Sequence, residues 1–330
     1  MSLTLPRCCA SLLLLGCGLF WIGPAHASVS CTGSMTNVVF GNVSPQSSQT
    51  NSNATLSYSC KNSSAGTAYA TVCFSIGEPA NGPTNPRRMK DAVGDTLNFQ
   101  LYQDASRSVI WGSQTVAPLT PLLVNMTIPA GGTYARSATL YGQVLAGQNT
   151  AIPSSYSDVY TSATNIITVN TGAGAPPGSC LVASGPGNSN FPFTVTATVV
   201  PQCTVSASTL DFGTIGLLTS AVPGTSTLGV QCSNGTPYKV GLDAGQNGGG
   251  NVNARKMVLA ANRIGYQLYQ DPGRTLVWGN SFGGGIGATN VVAATGTGNT
   301  QNLTVYGLVP SQITPVAGTY NDTIMVTVQY

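Results

Sequence analysis

The sequence predicts an all-β protein made of two β-sandwiches in tandem, the C-terminal one lacking its last strand. Three observations lead to this prediction. Apolar and polar residues alternate in short segments separated by Gly, Pro and Asn, which is the pattern of β-sandwiches. No segment shows a sustained 3.6-residue apolar period with capping residues, so we expect little helix. Finally, the same motifs occur twice along the 330 residues, and only the first copy continues into a further strand.

The first residues are typical of an export signal. Arg7 precedes an apolar run at residues 10–22, and Ala25-His26-Ala27 follows as a small-x-small cleavage site. We therefore expect a signal peptide at 1–27, a first domain at 28–200 and a second domain at 201–330. The protein would pass through the periplasm to the cell surface. The mature chain would contain no histidine, because His26 is the only one.

The first copy contains nine predicted strands. They lie near residues 31–41, 54–60, 69–77, 87–91, 97–103, 107–112, 136–145, 158–170 and 191–200. The last of them, Phe191–Val200, alternates apolar residues with threonine over most of its length, as a half-buried strand does. The stretch before it, 171–190, is rich in Gly, Ala, Pro and Ser and is expected to be a loop.

The second copy contains eight predicted strands. They lie near residues 203–212, 226–233, 237–243, 255–260, 264–270, 274–278, 302–309 and 320–330. A tight turn is expected at Gln270–Gly273, where Pro272 presets one φ angle and Gly273 accepts a positive one. No ninth strand follows in this sequence, so we expect the second sandwich to be incomplete.

Six cysteines remain after the predicted signal peptide, in a compartment where disulfides form. Cys31 and Cys60 have the same spacing as Cys203 and Cys232, which favours one pair within each copy. Cys73 and Cys180 occur only in the first copy and would link its third strand to the loop before its last strand. Six cysteines allow 15 pairings, so spacing alone leaves the connectivity open.

The two copies share motifs that extend over most of the chain. Each has a Cys…Phe-Gly…Cys start, a Gln-Leu-Tyr-Gln-Asp…Trp-Gly hairpin, and a Tyr-x-Asp ending at Tyr156-Ser-Asp158 or Tyr320-Asn-Asp322. These motifs resemble the spore coat protein U-like domain, which is similar to the pilin unit of archaic (Csu-type) chaperone–usher pili. The resemblance implies that the two sandwiches are immunoglobulin-like (pilin-type), and that each pilin lacks its last strand and receives one from a neighbouring subunit.

The resemblance also gives the two ends of the chain a meaning. Only Ser28-Val29-Ser30 separate the predicted cleavage site from Cys31, so we expect the chain to receive a strand but not to donate one. The layout is similar to that of a two-domain tip adhesin, which mediates cell attachment and biofilm formation. The implied partners are a periplasmic chaperone, an outer-membrane usher, an adjacent subunit, and an abiotic or host surface. The predicted donor-strand groove consists of Phe212, Leu228, Val230, Ile324, Val326 and Val328.

We expect the loops near 61–68, 113–135 and 171–190 to lie at the end of the first domain that faces away from the fibre. The middle one is apolar and contains prolines. Two interpretations remain open: its side chains close the end of the core, or they form an exposed hydrophobic binding patch. The predicted surface-binding residues are Leu119, Leu122, Leu123, Val124, Met126, Ile128, Leu181 and Val182.

Other functions are less well supported. Charged residues are only 6% of the chain and form no basic stripe, so nucleic-acid binding is not expected. Without a histidine or a pair of acidic residues, neither an enzyme nor a metal or cofactor site is expected. Short basic clusters at 87–90 and 255–256 are interpreted as solvated strand edges. The structural alternative is a non-adhesive pilus-shaft or spore-coat-like protein, and a secreted hydrolase is a remote one.

Overall fold

A computed structural model describes residues 29–46, 48–78, 81–180, 189–283 and 290–330. The predicted signal peptide lies outside these residues. The described part of the chain contains β-strands, turns and bends and no α-helix, which confirms the all-β prediction. Its sheets fall into two groups, one made of residues up to Val199 and one that begins at Cys203. We call these two parts the N-terminal and C-terminal domains.

The N-terminal domain contains twelve strands. They are β1 (Val29–Met35), β2 (Val38–Val43), β3 (Thr50–Asn62), β4 (Ala68–Ile76), β5 (Arg87–Lys90), β6 (Thr96–Tyr102), β7 (Leu122–Ile128), β8 (Thr133–Val144), β9 (Ser154–Tyr160), β10 (Asn165–Gly172), β11 (Ser189–Asn190) and β12 (Phe193–Val199). One sheet has the order β1-β3-β8-β6-β5-β9-β12-β2, and the other has the order β11-β10-β4-β7.

The last strand of this domain completes its core. β12 lies between β9 and β2, antiparallel to the first and parallel to the second. Its alternate side chains Phe193, Val195, Ala197 and Val199 are buried, because one face of the strand points into the sandwich. Residues from all parts of the domain between Val29 and Val199 form one continuous apolar core with them.

The C-terminal domain contains nine shorter strands. They are β13 (Cys203–Ala207), β14 (Val222–Cys232), β15 (Pro237–Leu242), β16 (Lys256–Leu259), β17 (Asn262–Gly265), β18 (Gln267–Tyr269), β19 (Val292–Thr295), β20 (Gln301–Val309) and β21 (Val326–Gln329). Its sheets have the orders β13-β14-β20-β18, β19-β15-β21 and β16-β17. A separate apolar core lies between them, centred on side chains such as Val230, Val240 and Trp278.

The two domains repeat the same architecture in detail. The indole of Trp111 donates a hydrogen bond to the carbonyl of Phe74 at 2.7 Å, and that of Trp278 donates one to Val240 at 2.9 Å. Cys31–Cys60 joins β1 to β3, and Cys203–Cys232 joins β13 to β14. The third disulfide, Cys73–Cys180, belongs to the N-terminal domain alone. The first two are the pairs that the equal spacing favoured, and the third is the pair expected because its cysteines occur only in the first copy.

The basic clusters are solvated only in part: Arg88, Lys90 and Lys256 are exposed as expected, but the first arginine of each cluster is buried. Arg87 and Arg255 are 0% and 1% exposed. Arg255 donates hydrogen bonds to the carbonyl oxygens of Leu242 and Trp278, and Arg87 donates to that of Trp111. A guanidinium can be buried where several carbonyl oxygens satisfy its donors. Each arginine therefore links its strand, through hydrogen bonds, to the hairpin that carries the buried tryptophan of its domain.

The predicted turn near 270–273 also differs in detail. The residue with positive φ is Arg274 (55°) rather than Gly273, and Arg107 has the same angle in the first copy. The carboxylate of Asp271 accepts hydrogen bonds from the backbone N–H groups of Thr275 and Leu276 at 3.0 and 2.7 Å. These bonds hold the turn one residue later than the Pro-Gly pair suggests.

Candidate strand-binding groove

A long groove lies along one side of the C-terminal domain, where two stretches of chain have almost no strand partners. Residues 208–216 form no strand, and residues 310–324 form only one isolated bridge, between Asn321 and Val258. Two adjoining cavities of about 420 and 580 Å³ separate these stretches. Both cavities are lined by Leu210, Asp211, Phe212, Met257 and Tyr320, so they form one continuous depression.

The corresponding place in the N-terminal domain is filled by β12. Phe40 and Phe212 occupy the same position, because each ring packs closely over a glycine of the neighbouring strand. A Cβ at Gly142 would lie 3.0 Å from the ring of Phe40, and one at Gly307 would lie 2.9 Å from that of Phe212. On the other side of the groove, Tyr320 corresponds to Tyr156 of β9. The predicted strands at 203–212 and 320–330 are therefore shorter than expected, because the partner that β12 provides in the first copy is missing.

The tyrosine hydroxyls show that the second wall of the groove also has the same local structure in both domains. The hydroxyl of Tyr156 donates a hydrogen bond to the carbonyl of Ile152 at 2.9 Å. That of Tyr320 donates one to Val316 at 2.8 Å, again four residues earlier in the chain. Both rings therefore have the same local anchor, with β12 beside one and the open groove beside the other.

Side chains beside the groove are less buried than their counterparts in the N-terminal domain, as expected if a strand is missing there. In the N-terminal domain, Tyr156, Asp158 and Tyr160 on β9 are at most 1% exposed. Their counterparts Tyr320, Asp322 and Ile324 are only half-buried. Incompletely covered apolar side chains therefore lie here beside stretches of backbone that form almost no strand pairing.

The predicted groove residues are placed in two groups. Phe212, Leu228, Ile324 and Val326 line the first cavity. Val230 and Val328 line neither cavity, since Val230 is fully buried in the core and Val328 lies opposite Val240 in the sheet. Sequence reasoning missed several further lining residues, notably Leu210, Met257, Tyr266 and Tyr320. The repeat of Tyr-x-Asp in both copies is the signal that could have identified Tyr320.

A polar cluster lies at the floor of the groove. The hydroxyl of Tyr266 donates to the Asp322 carboxylate at 2.7 Å, and the backbone N–H of Gln246 donates to its other oxygen at 3.0 Å. Burial, together with this carboxylate, raises the pKa of Tyr266, so the hydroxyl stays protonated and keeps donating. Burial lowers the pKa of the Arg255 guanidinium nearby. These hydrogen bonds fix the walls of the groove.

The predicted surface-binding loop is largely a strand in the structure. Residues Leu122–Ile128 form β7, which pairs with β4 along the edge of its sheet. Met126 and Ile128 are 3% and 0% exposed, so the prediction that they bind a surface is wrong: alternate side chains of β7 point into the core. Leu122 and Val124 are partly buried against the same core.

The remaining predicted surface residues are accessible to different extents. Leu123 is 40% exposed on the outer face of β7, and Leu119 is half-buried before it. Leu181 and Val182 lie outside the described residues. Loops 63–67, 129–132 and 173–180 form the upper pole of the N-terminal domain. Asn62 connects the first two of these loops by donating to the carbonyls of Gly66 (2.7 Å) and Pro129 (3.0 Å).

The residues that the structure describes include no group of acidic, histidine and cysteine side chains that could hold a metal ion. They also include no helix that is long and apolar enough to cross a membrane.

Comparisons with known proteins agree with this architecture. The sequence model of the Spore Coat Protein U domain matches residues 19–163 and 189–327. Protein U of Myxococcus xanthus is 30% identical over 159 residues, which are 46% of this chain and 78% of that protein.

A solved structure shows the same kind of fold. A chaperone–tip adhesion subunit pre-assembly complex (CsuC–CsuE) from archaic chaperone–usher Csu pili of Acinetobacter baumannii has a TM-score of 0.51 at 18% identity, over 91% of this chain and 100% of that chain. The CupB6 tip adhesin of Pseudomonas aeruginosa has a TM-score of 0.37 at 11% identity, over 92% of this chain and 95% of that chain.

Proposed function

Because the chain belongs to the Spore Coat Protein U domain family, we propose that it is a chaperone–usher pilus subunit, and specifically a two-domain tip adhesin whose C-terminal domain accepts a donor strand. One observation carries this proposal. The groove between residues 208–216 and 310–324 occupies the place that β12 fills in the N-terminal domain. The same fold is thus present once with its last strand and once with that place open.

The proposed mechanism is strand addition. An extended segment of a neighbouring subunit lies antiparallel to the stretch around Tyr320 and parallel to the stretch around Phe212, as β12 lies against β9 and β2. Its backbone pairs with the free N–H and C=O groups, and its alternate side chains fill the cavities. A periplasmic chaperone covers the same groove before assembly at the usher, because an open apolar edge promotes aggregation.

The arrangement of the domains supports a position at the end of the fibre. The N-terminal domain obtains its last strand from its own chain, so it offers no second acceptor groove among the described residues. Its upper pole faces away from the C-terminal domain. We propose that this pole, with the exposed side chain of Leu123, contacts an abiotic or host surface and thereby supports attachment and biofilm formation.

A C-terminal extension tests strand acceptance. In the N-terminal domain, β10 is followed by a loop and then by β12, and the same order can be built after Tyr330 by adding a flexible loop and a copy of residues 193–199. We expect the extended chain to be soluble and monomeric when it is exported without a chaperone. We expect the unextended chain to aggregate under the same conditions. If the unextended chain is soluble, monomeric and as resistant to proteolysis as the extended one, the groove is not an acceptor site.

The structural alternative, a non-adhesive pilus or coat protein, is distinguished by attachment. Cells that assemble the pilus with this subunit should bind to plastic or to host cells better than cells that lack only this subunit. Equal attachment would assign the protein a structural role at the fibre end.

A further inference from the structure

The two domains contact each other through loops at facing poles. On the N-terminal side, the loop 145–153 follows β8. Its Asn149 side chain donates a hydrogen bond to Asn299 of the C-terminal domain at 3.1 Å. The side chain of Asn234 donates to the carbonyl of Thr150 in the same loop at 3.1 Å. The lower pole of one sandwich thus rests on the upper pole of the next.

A second segment contributes to the same junction. The Gln46 side chain donates to the carbonyl of Gly298 at 3.3 Å and accepts from the hydroxyl of Ser233 at 3.3 Å. The strands of the two domains are separated by only three residues, 200–202. The two domains are therefore held together both by a short linker and by direct hydrogen bonds.

The C-terminal domain has a loop that corresponds to loop 145–153; it is one residue shorter before its glutamine and matches residue by residue from that glutamine to the tyrosine. Gln148 donates to the carbonyl of Leu145 at 2.7 Å and to that of Asn98 at 2.9 Å. Gln312 makes the same pair of contacts, with Pro310 at 3.1 Å and Gly265 at 2.9 Å. The tyrosine hydroxyls fix the other end of the loop, since Tyr156 bonds to Ile152 and Tyr320 to Val316.

With both ends aligned, Ile313 is the counterpart of Asn149, and Val316 is the counterpart of Ile152. Ile152 lies at the junction, because a Cβ on Gly235 would be 3.8 Å from its side chain. Ile313 is 94% exposed and Val316 is 58% exposed, and Leu217 on the neighbouring loop is 70% exposed. Three large apolar side chains are thus exposed at the lower pole of the C-terminal domain. The same pole of the N-terminal domain makes the contacts between the two domains.

We propose that this lower pole of the C-terminal domain, formed by Ile313, Val316 and Leu217, docks against the upper pole of the next pilin-type sandwich. The partner is expected to present an apolar side chain where Asn299 stands within this chain, because Ile313 replaces an amide that hydrogen-bonds there. This inference rests on the proposed function, since it assumes that another subunit follows. Of these three residues, only Val316 also lines the groove.

Ile313 and Leu217, unlike Val316, lie outside the groove. Neither Ile313 nor Leu217 lines either cavity. A strand that fills the groove therefore leaves both side chains in water. Exposed apolar clusters of this kind are usual at sites of protein–protein contact.

Site-specific photo-crosslinking in assembled pili tests the proposal. The full-length protein would carry p-benzoylphenylalanine in place of Ile313, or of Phe212 as a groove control, or of Met325 as a control that is 66% exposed elsewhere on the domain. We expect position 313 to crosslink to the neighbouring subunit at a loop joining its strands. Position 212 should crosslink to the donor segment of that subunit, and position 325 should give no crosslink.

The outcomes separate the two proposals. Crosslinks from position 212 but none from position 313 would overturn pole docking and leave strand acceptance intact. A product joining two copies of this chain at position 313 would also overturn it. Absence of crosslinks from both positions would contradict the pilus role itself. In a second measurement, purified pili are heated. Pili that carry Ile313→Asn should release the tip subunit at a lower temperature than wild-type pili, whereas pili that carry Met325→Asn should release it at the wild-type temperature.

Discussion

The side-chain pattern of the strand that completes the C-terminal domain can be predicted from β12. In the N-terminal domain, Phe193 lies opposite Tyr160 and stacks on its ring at 4.6 Å, and Ala197 lies opposite Tyr156. Tyr320 has the same hydrogen-bond anchor as Tyr156. We therefore expect the donor to place a small residue opposite Tyr320.

The size of the effect follows from burial. Phe193, Val195 and Val199 are 4%, 0% and 3% exposed, and burying such side chains stabilises a domain by about 1.5–3 kcal/mol each. A matching strand therefore contributes about 4.5–9 kcal/mol before the cost of ordering it. Replacing the grafted copy of Ala197 by Leu forces extra volume against a fixed ring, which costs about 1–3 kcal/mol. For a domain of this size, that corresponds to a loss of about 4–12 °C in Tm.

The assay uses the C-terminal extension described above. Pulse-labelling hydrogen exchange at increasing temperature, with peptides from β14 and β20 analysed by mass spectrometry, reports unfolding of the C-terminal domain separately. The matched control is Thr→Leu at the grafted copy of Thr196, which adds volume on the outer face of the strand. If the Ala→Leu and Thr→Leu variants of the extended chain have equal unfolding temperatures, the added strand does not bind in the register of β12.

Three further predictions follow from the structure. Burial raises the pKa of Asp158 to about 7 from its ordinary value of 3.8, so its contribution to stability falls by about 4 kcal/mol as pH rises from about 4 to 7. Urea unfolding of the N-terminal domain should show this pH dependence, and Asp158→Asn should flatten it; an unchanged profile would contradict the assignment. Arg255→Met should destabilise the C-terminal domain by about 3 kcal/mol, because buried carbonyls lose their donor, whereas Lys256→Met, one residue away and exposed, should change its unfolding midpoint little. Leu123→Asp should lower attachment of piliated cells to plastic with little change in Tm, while Ile128→Asp should unfold the domain; unchanged attachment for Leu123→Asp would restrict the adhesive surface to the upper-pole loops.

Much of the architecture was determined by the sequence itself. Alternation of apolar and polar residues is a local property, and it identified β-strands in both copies. Equal spacing within the repeats favoured the disulfides Cys31–Cys60 and Cys203–Cys232. The same repeat located the Phe-Gly and Tyr-x-Asp segments that flank the groove, since a motif that occurs twice marks equivalent places in two domains.

Pairing and burial were decided only by the tertiary structure. The segment Leu122–Ile128 was expected to be a loop, yet it is a strand because β4 provides a partner 48 or more residues away in the sequence. Arg87 was expected at a solvated edge, yet it is buried because carbonyl oxygens from distant segments surround it. The exposure of Ile313 became meaningful only when its loop was aligned with the one at the domain junction. Strand partners and burial depend on contacts between residues far apart in the chain, and a local pattern contains no information about which of those contacts form.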